Sequence, residues 1–342
     1  MSMEAGVDNF RYIAISSADE AVQALQQAPQ AHFLAGGTDL VPLMKDDIVR
    51  PATLVDISRW RAGAYIRKDA DGLKIGALTT LSAVAANPDV RGEYTALAQA
   101  CSVAATPQLR NMGTIGGNLL QQTRCWYYRG PYHCWLKGGD ACYAREGENE
   151  YHSVFFTDPA VSRCVSAHPS DPAAALLALD AVVRVLGANG EVRMPLEELY
   201  ALPTDQRRSF VTLPEGALIT DVVLPVYAGQ SRSAYVKAMA RASWSFALAG
   251  VAIRVRLDGD RIAEARIALS GVAPIPVRSA PAEALLVGRA LNTVDAGQVA
   301  EALVAGAEPL SENAYKIPLL RGLLRQALDL VGMNTGGTST PT

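Results

Sequence analysis

A short apolar run, His32–Ala35, meets the glycine pair of Gly36-Gly37-Thr38-Asp39 and turns at once into a segment with helical pattern, Leu40–Lys45. The arrangement recurs in looser form at Asn111-Met-Gly-Thr-Ile-Gly-Gly-Asn118. Without a Cβ, backbone N–H groups at such a turn converge on a phosphate, and the helix that follows brings roughly half a positive charge at its start. Two such turns suggest a diphosphate held between subdomains, although either pair taken alone is better read as simply marking a tight turn. Neither is G-x-G-x-x-G or a Walker loop, which sets aside the usual dinucleotide-binding and P-loop readings.

Around these turns the pattern alternates strands and helices. Ser17-Ala-Asp-Glu20 is a capping box opening a helix that ends before Pro29. Strands are expected at Thr53–Ile57, Leu73–Leu78, Val182–Val185 and Leu218–Leu224, and an alanine-rich helix at Thr95–Ala105. Tyr227–Ser231 reads as a linker. Beyond it, Ala249–Leu257 and Ile262–Leu269 flank Asp258-Gly259-Asp260, a hairpin signal because Asp-Gly suits turn residues with positive φ. Helices at Ala282–Val287, Val294–Ala305 and Ala314–Leu330 would back this C-terminal sheet, and the Gly/Ser/Thr/Pro-rich tail 334–342 is expected to be disordered.

With 342 residues, 49% hydrophobic and 19% charged, the chain suits two or three soluble domains. Its net charge of -3 comes with no basic run, which argues against nucleic acid as a partner. The first residues lack a basic segment followed by an apolar one, and the most apolar stretch is broken by Asp180 and Arg184. No membrane span is expected, and the location is expected to be cytoplasmic, with export on a signal-bearing partner left open.

Cys125, Cys134, Cys142 and Cys164 fall in one stretch, while Cys101 lies apart on the alanine-rich helix as a small buried side chain. Their intervals, C-x8-C-x7-C-x21-C, lack the tight knuckle of a zinc finger and the C-x2-C-x2-C run of bacterial ferredoxins. Spacing alone admits a metal cluster, a zinc ion or free core thiols, with His133 and His152 as further ligand candidates. An inserted loop needs its own stabilisation, and metal–thiolate bonds formed only in the folded state supply it.

The segments Phe33-Leu-Ala-Gly-Gly-Thr-Asp-Leu40 and Leu109-Arg-Asn-Met-Gly-Thr-Ile-Gly-Gly-Asn118 resemble the two flavin-binding signatures of the vanillyl-alcohol-oxidase (PCMH) type, and most closely those of the FAD-binding middle subunits of xanthine dehydrogenase family molybdenum hydroxylases. The resemblance runs from about Phe10 to Leu330. It implies an α+β chain: a two-subdomain FAD-binding domain over 6–226, divided near residue 60, and a C-terminal domain of the CO dehydrogenase flavoprotein type over 232–333. It implies FAD contacts from Phe33, Leu34, Ala35, Gly36, Gly37, Thr38, Asp39 and Leu40, and from Thr106, Thr114, Gly116, Gly117 and Asn118. Asp171 of His168-Pro-Ser-Asp171 is implied to reach the cofactor, with Ile219 and Lys237 as further contacts; the residues alone read Asp171 as a helix N-cap before Pro172, a role compatible with the first. Many relatives carry an acidic residue where this chain reads Arg241-Ala-Ser-Trp-Ser-Phe246, and there Trp244 is read either as stacking near the flavin or as a core residue.

Relative to simpler flavin subunits the chain carries an insertion at about 122–168. Thr123-Arg-Cys125, Gly139-Asp-Ala-Cys142 and Arg163-Cys164-Val-Ser-Ala-His168 resemble the cluster loop of 4-hydroxybenzoyl-CoA reductase and bacterial aldehyde oxidoreductase flavin subunits. The resemblance implies a [4Fe-4S] cluster on all four cysteines, shielded by Trp126, Tyr127, Tyr128, Tyr132 and Trp135 or packed by them onto a partner. No Ser/His/Asp arrangement, paired catalytic carboxylates, [2Fe-2S] pattern or molybdopterin element is present. Substrate oxidation is therefore expected on a molybdopterin-binding large subunit, with electrons passing through a [2Fe-2S] small subunit to this FAD and on to ferredoxin, NAD, quinone or oxygen. The rival readings are a stand-alone flavin oxidoreductase and a zinc-stapled scaffold without a redox cluster.

Overall fold

In the computed structural model, residues 8–28 and 30–333 are described; the tail 334–342 and the residues just before 8 lie outside the described residues. The helix Ala18–Gln27 opens at Ser17, whose side chain accepts from Glu20 N at 3.2 Å. The glutamate answers one residue early, accepting from Ser16 N at 2.8 Å and Ser16 Oγ at 3.0 Å. This helix crosses between two strands of a three-stranded parallel sheet in which Thr53–Asp56 lies between Arg11–Ala14 and Ala31–Leu34. A parallel pair needs such a crossover. The strand Ala31–Leu34 ends against the first glycine pair, so that loop lies at the carboxyl edge of the sheet, where open α/β sheets bind their ligands.

The second sheet has five antiparallel strands in the order Ile66–Asp69, Gly72–Gly76, Leu218–Leu224, Val182–Gly187, Gly190–Pro195. The helices Thr95–Val103 and Asp171–Ala178 bury their alanines and leucines against it, with Leu73, Ile75, Val222 and Leu176 in one core. The third sheet is antiparallel in the order Val277–Arg278, Arg261–Ser270, Ala247–Asp258, Gln230–Met239. Helices Ala296–Val304 and Lys316–Met333 cover it. Its hairpin pairs Asp258 with Arg261, so the turn centres on Gly259-Asp260, and among its described residues only Gly259 has a positive φ, +59°. Glycine takes the first central place, one residue later than Asp-Gly suggested.

The strand Gln230–Met239 begins inside the expected linker and was not legible from its composition. Alternate residues of it point at the first domain: Ser233 Oγ accepts from Ala96 N at 3.1 Å and Tyr235 N donates to Gln99 Oε1 at 2.7 Å. The neighbouring strand adds Arg254, fully buried, which donates to Asp180 Oδ2 at 2.5 Å and lies 4.5 Å over the Tyr227 ring. The domains thus meet along a polar, hydrogen-bonded seam.

The insertion has little regular structure: short helical turns at Trp126–Arg129, Trp135–Lys137 and Tyr143–Arg145. Arginines tie its carbonyls together. Arg208 donates to Trp135 O at 2.7 Å and Gly139 O at 2.9 Å, and Arg145 donates to Thr157 O at 2.6 Å and Arg163 O at 3.1 Å. Among the described residues no helix is long and apolar enough to cross a membrane.

Candidate functional site: a cavity between the glycine loops and a four-thiol pocket

A cavity of about 1030 Å³ opens where the parallel sheet, the five-stranded sheet and the C-terminal domain meet. Both glycine loops wall it, and they touch: a Cβ on Gly36 would stand 1.9 Å from Met112 O. Gly116 is packed on Ala77 in the same manner, at 2.8 Å. Gly37 has φ +69°, which disfavours any side chain. Among the described residues the backbone N–H groups of Gly36, Gly37, Thr38 and Asp39 find no partner within the protein. These residues are half-buried on the cavity wall, and four such donors in a row at the start of Leu40–Lys45 suit an anionic group. In the second loop Thr114 Oγ1 accepts from Gly117 N at 3.2 Å, and Asn118 Oδ1 accepts from Ser170 Oγ at 2.5 Å.

Phe33, Ala35, Gly36, Gly37, Thr38, Asp39, Leu40, Thr114, Gly116, Gly117, Asn118, Asp171 and Ile219 all line this cavity. Leu34, Thr106 and Lys237 do not. Leu34 backs Gly37, its Cδ1 being 3.4 Å from where a Cβ on Gly37 would stand. Thr106 caps Pro107–Arg110, accepting from Leu109 N at 3.2 Å. Lys237 donates to Asp171 Oδ2 at 2.7 Å and to Val103 O at 3.2 Å, so it reaches the cavity only through the carboxylate it holds. Asp171 Oδ1 accepts from Tyr235 OH at 2.6 Å, and that hydroxyl lies 2.8 Å from Ser270 Oγ. Burial raises the Asp171 pKa against the opposing pull of Lys237 and Tyr235. The helix cap belongs to Ser170, which accepts from Ala173 N at 3.0 Å; Asp171 is the first helical residue.

Asp39 faces the cavity, yet its carboxylate is spent on the insertion. Its Oδ1 receives Arg124 and Arg129, each at 2.8 Å, and its Oδ2 receives Gln122 N at 2.8 Å. Arg124 also lines the cavity and lies 4.9 Å over the Phe246 ring, while burial lowers its pKa. Composition gave no reason to single this arginine out, because its significance lies in a contact made across 85 residues of chain with Asp39. Trp244 stands exposed at the cavity mouth with φ +52° under Arg241, so it is not a core residue. His168 is buried, lines the cavity and meets Tyr200 edge-on at 5.0 Å.

The second pocket is small and is lined by Cys125, Cys134, Cys142 and Cys164 together, with Tyr127, Tyr128 and Trp135 around them. All four thiols are free, as is the buried Cys101. Cys125 Sγ is 3.2 Å from His152 Nε2, and Cys164 Sγ is 3.3 Å from Ser166 Oγ. The hydrogen bond from Cys164 holds the Cys142 thiol down to about 6, and the same shared proton pushes Cys164 up. Burial pushes Cys125 up to about 12. Among the described residues no group of three or more His, Cys, Asp or Glu side chains is arranged to hold a metal ion. The thiols therefore surround a space instead of converging on a point. Of the aromatic residues, Trp135, Tyr127 and Tyr128 are buried, Tyr132 is exposed, and Trp126 lines the larger cavity.

A cavity built from these two glycine loops and continued into a third sheet defines a flavin-binding chain, and the comparisons agree. Residues 8–227 match the family described as FAD binding domain in molybdopterin dehydrogenase, and residues 234–331 the CO dehydrogenase flavoprotein C-terminal domain. The chain belongs to this family of FAD-binding middle subunits of xanthine dehydrogenase-type molybdenum hydroxylases, and is an oxidoreductase subunit. It is 37% identical over 322 residues to the aldehyde oxidoreductase FAD-binding subunit PaoB of Escherichia coli strain K12, covering 93% of this chain and 97% of that protein. It is 28% identical over 326 residues to the carbon monoxide dehydrogenase medium chain of Hydrogenophaga pseudoflava, covering 94% and 96%. Among solved structures it superposes with a TM-score of 0.75 and 28% identity on the carbon monoxide dehydrogenase from that organism which lacks the Mo-pyranopterin moiety, covering 96% of this chain and 98% of that one.

Proposed function

We propose that this FAD-binding subunit carries a [4Fe-4S] cluster on Cys125, Cys134, Cys142 and Cys164 and joins it to the flavin as an electron relay within a molybdenum hydroxylase. The observation that carries this reading is that Cys125 lines both the flavin cavity and the thiol pocket. One ligand would thus stand in the wall between the two redox groups. The donor set suits iron and sulfide: four free thiols line one small pocket.

The backbone N–H groups of 36–39 would hold the FAD diphosphate, with the Gly117 loop and Asn118 along the chain beyond it. Asp171, gripped by Lys237 and Tyr235, supplies a fixed carboxylate on the cavity wall. Bound FAD takes two electrons and releases them singly, so the neighbouring thiolate site offers a one-electron exit. Substrate chemistry belongs to a molybdopterin-binding large subunit, with a [2Fe-2S] small subunit feeding this chain and a one-electron acceptor such as ferredoxin beyond it. Iron and acid-labile sulfide analysis of the five Cys→Ser variants tests the ligand set. Cys125, Cys134, Cys142 and Cys164 should each be required for about four irons per chain, and Cys101→Ser should change nothing. A colourless, zinc-containing wild type would overturn the reading.

A further inference from the structure

We infer that His152 is a positioning residue of the thiol site, its Nε2–H donating to the Cys125 sulfur, and that the C-terminal helix sets this bond by gripping the His152 backbone. This rests on the four-thiolate cluster proposed above.

His152 is 2% exposed, and its Nε2 lies 3.2 Å from Cys125 Sγ. The other ring nitrogen, Nδ1, has no hydrogen-bond partner among the described residues. A neutral imidazole carries one N–H; Nε2 is the ring nitrogen with a side-chain partner at hydrogen-bond distance, the Asn149 backbone being only the smallest influence on the ring's proton, and we assign the N–H there. Aromatic neighbours pack against the ring: Trp126 meets it edge-on at 5.1 Å, and Tyr127 lies tilted to it at 6.1 Å.

What fixes the backbone is unusual in composition. Lys316 is wholly buried, and no carboxylate pairs with it among the described residues. Its ammonium has three protons and finds three carbonyls: His152 O at 2.8 Å, Gly271 O at 2.7 Å and Tyr151 O at 3.1 Å. Asn313 Nδ2 adds a bond to His152 O at 3.2 Å and one to Ser153 O at 2.9 Å. When the amino group is charged, a buried cation without a counter-charge is costly unless every proton is matched, so in that form this hub admits little displacement. Tyr151, His152 and Gly271 all line the flavin cavity. One lysine of the C-terminal domain therefore fixes the flavin wall and the residue that touches the thiol site.

With a cluster bound at these thiols, an N–H···S bond from His152 would favour its reduced, more negatively charged form. His152 should accordingly raise the potential of the site. The test uses the full chain with its bound cofactors, as wild type, His152→Ala, His152→Gln and Lys316→Met, comparing iron content, circular dichroism and the reduced-to-oxidised cluster ratio by electron paramagnetic resonance at one fixed poise. His152→Ala should keep its iron and show a ratio about tenfold lower, roughly 59 mV for a one-electron couple. His152→Gln, whose amide still donates, should recover most of the difference, and Lys316→Met should show part of the loss with the imidazole present. An unchanged ratio in iron-loaded His152→Ala overturns the inference alone. So does loss of iron in folded His152→Ala and His152→Gln, which would make the histidine a ligand. A wild type without iron overturns the cluster reading, and this inference with it.

Discussion

The first glycine loop hangs from a parallel sheet whose middle strand, Thr53–Asp56, is buried along its whole length, whereas the four thiols ride on a segment with only short helical turns between Trp126 and Arg145. The flavin cavity is shaped by backbone close packing: Gly36 on Met112, Gly116 on Ala77. The thiol pocket is shaped by side chains that reach carbonyls, chiefly Arg145, Arg208 and Lys316. Where a sheet and a core already exist, geometry is held by sterics. Where they do not, it is held by charged donors spread over many acceptors, and metal–thiolate bonds would complete the job. The two regions should therefore fail differently.

The largest effect is expected at Gly36. Its substitution by alanine drives a Cβ into Met112 O, a backbone atom that cannot move without displacing the second glycine loop. Gly36→Ala should lose flavin and about 3 kcal/mol or more of stability, read by flavin absorbance and thermal unfolding. Gly37→Val meets only side chains, Val41 at 3.2 Å and Leu34 at 3.4 Å, but must hold φ +69°. It should remain folded and keep its iron while flavin occupancy falls, at a cost of about 1–3 kcal/mol. Cys142→Ser should do the reverse and keep flavin while losing iron. If either variant loses both groups, the two regions are one cooperative unit and the contrast is wrong.

Asp39 is the one carboxylate on the first loop that grips the insertion, through Arg124, Arg129 and Gln122 N. Asp39→Asn keeps the shape and weakens the charge-assisted bonds. The expected loss is about 2 kcal/mol, with flavin and iron both reduced but neither abolished. Retention of both at wild-type levels would show that the insertion is held by its own contacts.

Much of this was legible in sequence where local chemistry decides. The helix Leu40–Lys45 and the strand Leu218–Leu224 fall where their patterns place them, because a glycine pair and a proline bound them. The strand Gln230–Met239 was missed because Ser233, Tyr235 and Lys237 look like a solvated face, yet they are buried against Thr95–Val103 and Asp171. Partners that bury a polar residue lie far away in sequence, and no local pattern reports them. The same holds for Arg124 with Asp39 and for Lys316 with the carbonyls of 151, 152 and 271. The cysteines were conspicuous, but their shared pocket follows only from the path of the insertion between Asp39 and the C-terminal helix.

The smallest expected effect concerns pH. Burial pushes the Lys316 ammonium down to about 7 in the folded chain, whereas in the unfolded chain a lysine titrates at its ordinary value, about 10.4. Between those values the unfolded chain holds a proton that the folded chain has released. Stability should then rise with pH across this window and be lost as pH falls back through about 7, where both states are charged. The carbonyls of Tyr151, His152 and Gly271 favour the charged form and narrow the window from below. Denaturant unfolding of wild type and Lys316→Met at pH 7 and pH 9.5 gives the comparison, the rest of the chain contributing equally to both. Wild type should gain stability relative to the variant on going from pH 7 to pH 9.5. Equal pH slopes would mean that the ammonium stays charged throughout, held by its three carbonyls, and would make the hub a permanent cation beside the flavin wall.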